Sequence, residues 1–142
     1  MLRLKTLLYI LLYPFSLLYA IAVSVRNFLY DTKVFKSKQY TDARVISVGN
    51  LCAGGAGKTP HVEYLIKLLK NNHPIATLSR GYKRKTKGYI LADKNSTAEI
   101  IGDEPMQLHR KYPEIRVAVD AKRVRGIDKL LQENPKPEII IG

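Results

Sequence analysis

One cysteine stands in the 142 residues, Cys52. It excludes an internal disulfide and suits a reducing compartment. No basic residue lies next to it in the sequence to activate it, so it is read as a loop residue before a nucleophile. Acid is scarce as well. Twelve Asp and Glu face 24 Lys and Arg, a formal net charge of +12. That balance selects an anionic partner, whether nucleic acid, a phosphorylated substrate or an acidic membrane surface. Internal repeats and low-complexity tracts are both missing, so solenoid and linker architectures are set aside. Residues 6–25 contain no charge at all.

That uncharged run is preceded by Arg3 and Lys5 and followed by Arg26. As a helix it would extend about 30 Å, the depth of a bilayer's hydrocarbon core. A transmembrane helix, an interfacial anchor and a signal peptide ending near Ala20-Ile21-Ala22 all fit, as does a buried core helix. Tyr9, Tyr13 and Tyr19 favour interfacial depth, and Pro14 argues against a straight span. A secreted chain conflicts with the nucleotide-binding pattern that follows, so membrane attachment is expected. Residues 31–43, with Lys33, Lys36 and Lys38, read as a basic linker that attracts anionic headgroups or is simply solvated.

The chain is organised around Val45-Ile46-Ser47-Val48-Gly49-Asn50-Leu51-Cys52-Ala53-Gly54-Gly55-Ala56-Gly57-Lys58-Thr59-Pro60. A β-branched run stops at glycine, a small-residue loop follows, and Gly-Lys-Thr opens a helical pattern. This is the strand, loop and helix of a phosphate-binding loop. Glycines let successive N–H groups converge on one anion, and the helix end adds its positive dipole. Gly54, Gly55, Ala56 and Gly57 would cradle phosphate. Lys58 would reach the β- and γ-phosphates, and the Thr59 hydroxyl would hold Mg²⁺. The usual first glycine is replaced by Cys52, with Gly54 and Gly55 supplying the turn.

Beyond the loop, Val62, Leu65, Ile66, Leu68 and Leu69 recur at helical spacing through residue 71. Residues 75–78 form a short buried strand running into Ser79-Arg80-Gly81-Tyr82, a polar turn at a strand's carboxyl end. Ligands of open α/β sheets sit at that edge, so Arg80 is a candidate phosphate contact or a surface arginine. Lys83, Arg84, Lys85 and Lys87 continue a cationic loop without a nucleic-acid motif, and no nucleic-acid role is expected. Residues 88–92 suggest a strand or hairpin arm and 93–97 a turn. Gly102-Asp103-Glu104-Pro105 opens a helix to about residue 111, and its acids are either N-terminal caps or catalytic groups. His109 on that helix reads as a surface residue. Residues 116–120 and 138–142 are further strands, with a helix opened by Lys122, Arg123 and Arg125 between them. The expected fold is α/β: a phosphate-loop NTPase-like, mainly parallel sheet with flanking helices over residues 44–142, after an apolar membrane helix over 1–30. An acidic segment normally follows a strand like 138–142, so the chain is read as truncated.

Four features together resemble the N-terminal half of the tetraacyldisaccharide 4′-kinase (lipid A 4′-kinase) family. They are the apolar first helix, the loop from Val48-Gly49-Asn50-Leu51 to Gly57-Lys58-Thr59-Pro60, Ser79-Arg80-Gly81-Tyr82, and Gly102-Asp103-Glu104-Pro105. The resemblance implies transfer of the γ-phosphate of ATP, with Mg²⁺, to the 4′-hydroxyl of a tetraacylated disaccharide 1-phosphate, a lipid A precursor. It implies work at the cytosolic face of the inner membrane, on an anionic surface, with no obligate protein partner. It assigns Lys58 and Thr59 to ATP and metal, Asp103 to activation of the sugar hydroxyl, Glu104 to the metal's neighbourhood, and Arg123 to phosphates or substrate. The family's Asp-Asp-x-x-Gln-His segment would follow Gly142, and these residues alone are expected to turn over weakly or not at all. The alternative is a membrane-anchored NTP-binding regulator.

Overall fold

The computed structural model describes residues 2–35, 37–49 and 57–142, with 2–10 described by backbone alone. The chain divides into two compact units, Met1–Gln39 and Tyr40–Gly142.

The first unit is helix α1, Leu2–Asp31, which runs through Pro14 without a break. Its segment Leu11–Asp31 is long and apolar enough to cross a membrane, with a mean hydropathy of 1.3. Phe15, Leu18, Tyr19 and Phe28 are all more than half exposed. The helix ends in a turn where the Thr32 hydroxyl donates to the Phe28 carbonyl at 2.7 Å, and Lys33 takes a left-handed φ of 58°. Tyr30 meets Phe35 edge-on with ring centroids 5.4 Å apart.

The second unit is built on a five-stranded sheet. Its strands are β1 (Arg44–Ile46), β2 (Ile75–Ser79), β3 (Ile90–Leu91), β4 (Arg116–Val119) and β5 (Ile139–Ile141). Their spatial order is β1-β5-β2-β4-β3, and every pairing is parallel except that of β3 with β4. The helices are α2 (Lys58–Leu69), α3 (Ala98–Ile101), α4 (Asp103–Lys111) and α5 (Arg123–Leu130).

The strand sequences explain the layering. A parallel sheet covered on both sides wants apolar side chains pointing both ways. Ile75, Val117, Ile139 and Ile141 point to one face, where Ile66 of α2, Leu108 of α4 and Tyr112 just after α4 cover them. Ala76, Leu78, Ala118 and Ile140 point to the other, against Ile127 and Leu130 of α5. Ile66 has no exposed surface, and emptying such a site by Ile→Ala costs about 2–5 kcal/mol. Of the five apolar positions expected to form one face of α2, Leu68 is instead 57% exposed. Four apolar residues per two turns already fill the stripe that a sheet can cover.

Residues 88–92 hold the short strand expected there: Ile90 and Leu91 pair with Val119 and Ala118, antiparallel, at the far edge of the sheet. The turn at 93–97 leads into the four-residue helix α3, too short to show a period in sequence.

The consequence for function lies in the strand order. β5 sits between β1 and β2, so the chain leaves β1, passes over β5's place and returns to it last. All four parallel strands end at one edge, with Val48 N–H bonded to the Gly142 carbonyl at 2.8 Å. Ligands of open α/β sheets bind along this edge, where the order reverses.

Candidate active site

Each element contributes its functional residue through a short turn at that edge. Gly54, Gly55 and Ala56 lie outside the described residues. Gly57 is the residue before α2, at φ 72°, ψ 26°, a left-handed conformation that a Cβ would strain. No side chain caps α2, and Pro60 has no N–H to leave unpaired. The free donors of this helix start are therefore those next to Lys58 and Thr59, as an anion site requires.

Two glycines bring the second and third motifs into backbone contact. Gly81 has φ 68°, and a Cβ on it would stand 2.9 Å from the Ile101 carbonyl oxygen. Gly102 has φ 98°, and a Cβ there would stand 3.0 Å from the Tyr82 carbonyl oxygen. Only glycine permits both conformations and both approaches. The turn carrying Arg80 and the start of α4 are locked together as a result.

Gly102 is the N-cap of α4, and no side chain caps the helix. Asp103 and Glu104 occupy its first turn, where the helix dipole favours negative charge. They are not caps. Glu104 accepts a hydrogen bond from the Thr59 hydroxyl at 2.6 Å, across 45 positions of sequence. Asp103 is exposed and has no hydrogen-bond partner among the described residues.

A cleft of about 450 Å³ opens between these elements, lined by Lys58, Arg80, Asp103, Glu104 and Arg123 together with β-strand ends. Of the site residues expected from sequence and described here, Gly57 and Thr59 do not line it; Gly57 precedes Lys58 at the helix start and Thr59 joins the cleft through Glu104. Three cations and two carboxylates thus face one volume. The arrangement can hold a polyanion and offers a free carboxylate to accept a proton.

Other sequence candidates stand apart. His109 points its Nε2 at the Asp93 carbonyl oxygen, 3.0 Å away, and does not line the cleft. The cationic loop is less of a patch than its composition suggests. Arg84 turns inward, donating to the Gly88 carbonyl at 2.7 Å, and Lys85 pairs with Glu99 at 2.9 Å.

One residue escaped the sequence reading. Asp120, at the end of β4, has no exposed surface. Arg125 grips both its oxygens, Nε to Oδ2 at 2.7 Å and Nη2 to Oδ1 at 2.8 Å. Hydrogen bonding from Arg125 holds its carboxyl below the ordinary 3.8 despite burial. A polar residue after an apolar strand was visible in sequence, but its burial was not.

The comparisons with known proteins agree with one another. A profile of the LpxK family, described as tetraacyldisaccharide-1-P 4′-kinase, matches residues 8–142. A tetraacyldisaccharide 4′-kinase of Flavobacterium johnsoniae is 56% identical over 131 residues, 92% of this chain and 38% of the relative. One from Parabacteroides distasonis is 56% identical over 133 residues, 92% of this chain and 36% of the relative. The chain therefore spans under two-fifths of the length of these curated relatives. The crystal structure of an "apo" form of LpxK from Aquifex aeolicus, in complex with ATP, aligns with a TM-score of 0.77 at 39% identity. That alignment covers 99% of this chain and 43% of the Aquifex chain.

Proposed function

The chain belongs to the tetraacyldisaccharide-1-phosphate 4′-kinase family, and from that premise we propose that it supplies the nucleotide-binding part of a lipid kinase. The reaction is transfer of the γ-phosphoryl group of ATP to the 4′-hydroxyl of a tetraacylated disaccharide 1-phosphate. The observation that carries this reading is the cleft where Lys58, Arg80, Asp103, Glu104 and Arg123 converge beside an uncapped helix start.

Roles follow from chemistry. Gly54 to Gly57 and the first N–H groups of α2 take the phosphate chain, as backbone donors at a helix start do. Lys58 places a mobile positive charge on the β- and γ-phosphates, and Arg80 and Arg123 add planar, multidentate donors. Asp103 accepts the proton of the sugar hydroxyl. The hydroxyl oxygen bonds to the γ-phosphorus, the bond from that phosphorus to the bridging oxygen breaks, and ADP leaves with the electron pair. The Thr59 hydroxyl and Glu104 carboxylate, 2.6 Å apart, are hard oxygen donors of the kind Mg²⁺ prefers. Two protein oxygens suit an ion that otherwise keeps waters and phosphate oxygens. When bound there, the ion offsets the charge that builds on the transferred group.

Residues 1–30 serve as the membrane-associated helix, 31–43 as a basic linker and 44–142 as the catalytic body's first part. Attachment at the cytosolic face of the inner membrane meets both needs at once, since ATP is cytosolic and the acceptor is lipid. The net charge of +12 favours that anionic surface.

The test is phosphoryl transfer from labelled ATP to the tetraacyldisaccharide 1-phosphate in mixed micelles. The full-length polypeptide should give a phosphorylated lipid product, and residues 1–142 alone should give little or none. ATP hydrolysis that ignores the lipid would instead support a membrane-anchored NTP-binding regulator.

A further inference from the structure

Asp120 touches none of the cleft, yet the geometry around it governs a residue that does. Its N–H donates to the Ser79 carbonyl at 2.9 Å, which ties the end of β4 to the strand end that carries Arg80. Its Oδ1 accepts the Lys122 N–H at 2.8 Å, and Arg125 returns from α5 to hold both carboxylate oxygens. The backbone is thus clamped on either side of Arg123. Successive helical residues turn by about 100°, so Arg123 and Arg125 leave α5 on nearly opposite sides. Arg125 points back to Asp120 and Arg123 points forward into the cleft. There its Nη1 lies over the end of β5, 3.0 Å from where a Cβ on Gly142 would stand.

α5 has no side-chain cap of its own at Lys122; apart from the Tyr40 hydroxyl donating to the Val124 carbonyl, its first turn is held from outside the helix by Asp120. A buried carboxylate is an expensive anchor unless its partners are well aimed, and these are. We propose that Asp120 is a positioning residue, which through Lys122 and Arg125 sets the guanidinium of Arg123 against the phosphoryl group in flight. The inference rests on the kinase reading. It adds to that reading a residue whose effect on catalysis passes entirely through Arg123.

The experiment is a double-mutant cycle in the full-length polypeptide, with ATP and the tetraacyldisaccharide 1-phosphate as substrates. Displacing a catalytic group by about 1 Å costs up to about 100-fold, so Asp120→Asn should lower kcat by about 10- to 100-fold, with KM for the lipid little changed. In an Arg123→Ala background the same change should cost less than about two-fold, since there is no longer a guanidinium to aim. Should Asp120→Asn fold poorly, Arg125→Lys removes the two-pronged grip while keeping the charge, and should show the same dependence on Arg123. Losses that multiply in the double variant, or an Asp120→Asn enzyme with unchanged kcat, would overturn the positioning role. A wild-type protein without lipid-dependent turnover would strike the kinase reading itself, and the role with it.

Discussion

Asp103 and Asp120 sit on adjoining parts of the same sheet edge and are opposites. Asp103 is exposed and without a hydrogen-bond partner among the described residues, while Asp120 is fully buried with every oxygen engaged. A carboxylate that must take up a proton has to be free to do so. One that must hold a turn has to be spent on its neighbours. The largest effect that separates them is expected from Asp103→Asn, which keeps shape and removes the proposed base. Lipid phosphorylation by the full-length polypeptide should fall by about 10²- to 10⁴-fold. Thermal stability should stay within about 0.5 kcal/mol of wild type, because no hydrogen bond is lost and only an exposed charge at the helix start is removed. Equal losses of activity and stability would erase the contrast.

Asp120→Ala should show the reverse balance in the folded body, losing about 2–3 kcal/mol of stability with its three charge-assisted bonds. The pH dependence has a definite sign. The carboxyl titrates below its ordinary 3.8 in the folded chain because of Arg125. Its stabilisation is therefore complete above about pH 5, and it fades as pH falls through the lowered folded value. Urea titrations of wild type and variant should differ near neutrality and converge on acidification. A gap that persists unchanged to pH 2 would assign the stability to packing instead.

The same pair shows what a sequence makes visible. β2, β4 and β5 announce themselves as short runs of Ile, Val and Ala, since a strand covered on both faces has no polar side to hide. Gly57-Lys58-Thr59 and Gly102-Asp103-Glu104 mark helix starts because backbone conformation demands those glycines locally. The Thr59–Glu104 hydrogen bond spans 45 positions and depends on β5 lying between β1 and β2. No local pattern encodes that order. Asp120 was passed over for a similar reason, since its burial comes from an arginine one helical turn later and from β2 beside it. α3 is a single turn, below the length at which periodicity exists.

A smaller effect belongs to α1, most of whose described apolar side chains are exposed where those of the sheet are buried. Leu18 is 64% exposed. Leu18→Lys should weaken binding to anionic phospholipid vesicles by about 10- to 100-fold in a flotation assay. The melting of the α/β body should not move. A lowered melting temperature would mean that the helix packs on protein rather than lipid.

The smallest effect should come from the cationic loop, where Lys85 and Arg84 are neighbours with different duties. Lys85 pairs with Glu99 at 2.9 Å, but both side chains are about 70% exposed. Water competes for each charge, and holding two long side chains together costs entropy, so Lys85→Ala should shift stability by under about 0.5 kcal/mol. Arg84 instead reaches back to the Gly88 carbonyl, and its Cδ would lie 2.5 Å from a Cβ on Gly81. Truncating it removes the packing under the turn that carries Arg80, so Arg84→Ala should destabilise more than Lys85→Ala in the same urea titration. If the two changes proved equal, the loop would be a uniformly solvated run of charge, and its inward arginine would have no part in shaping the cleft.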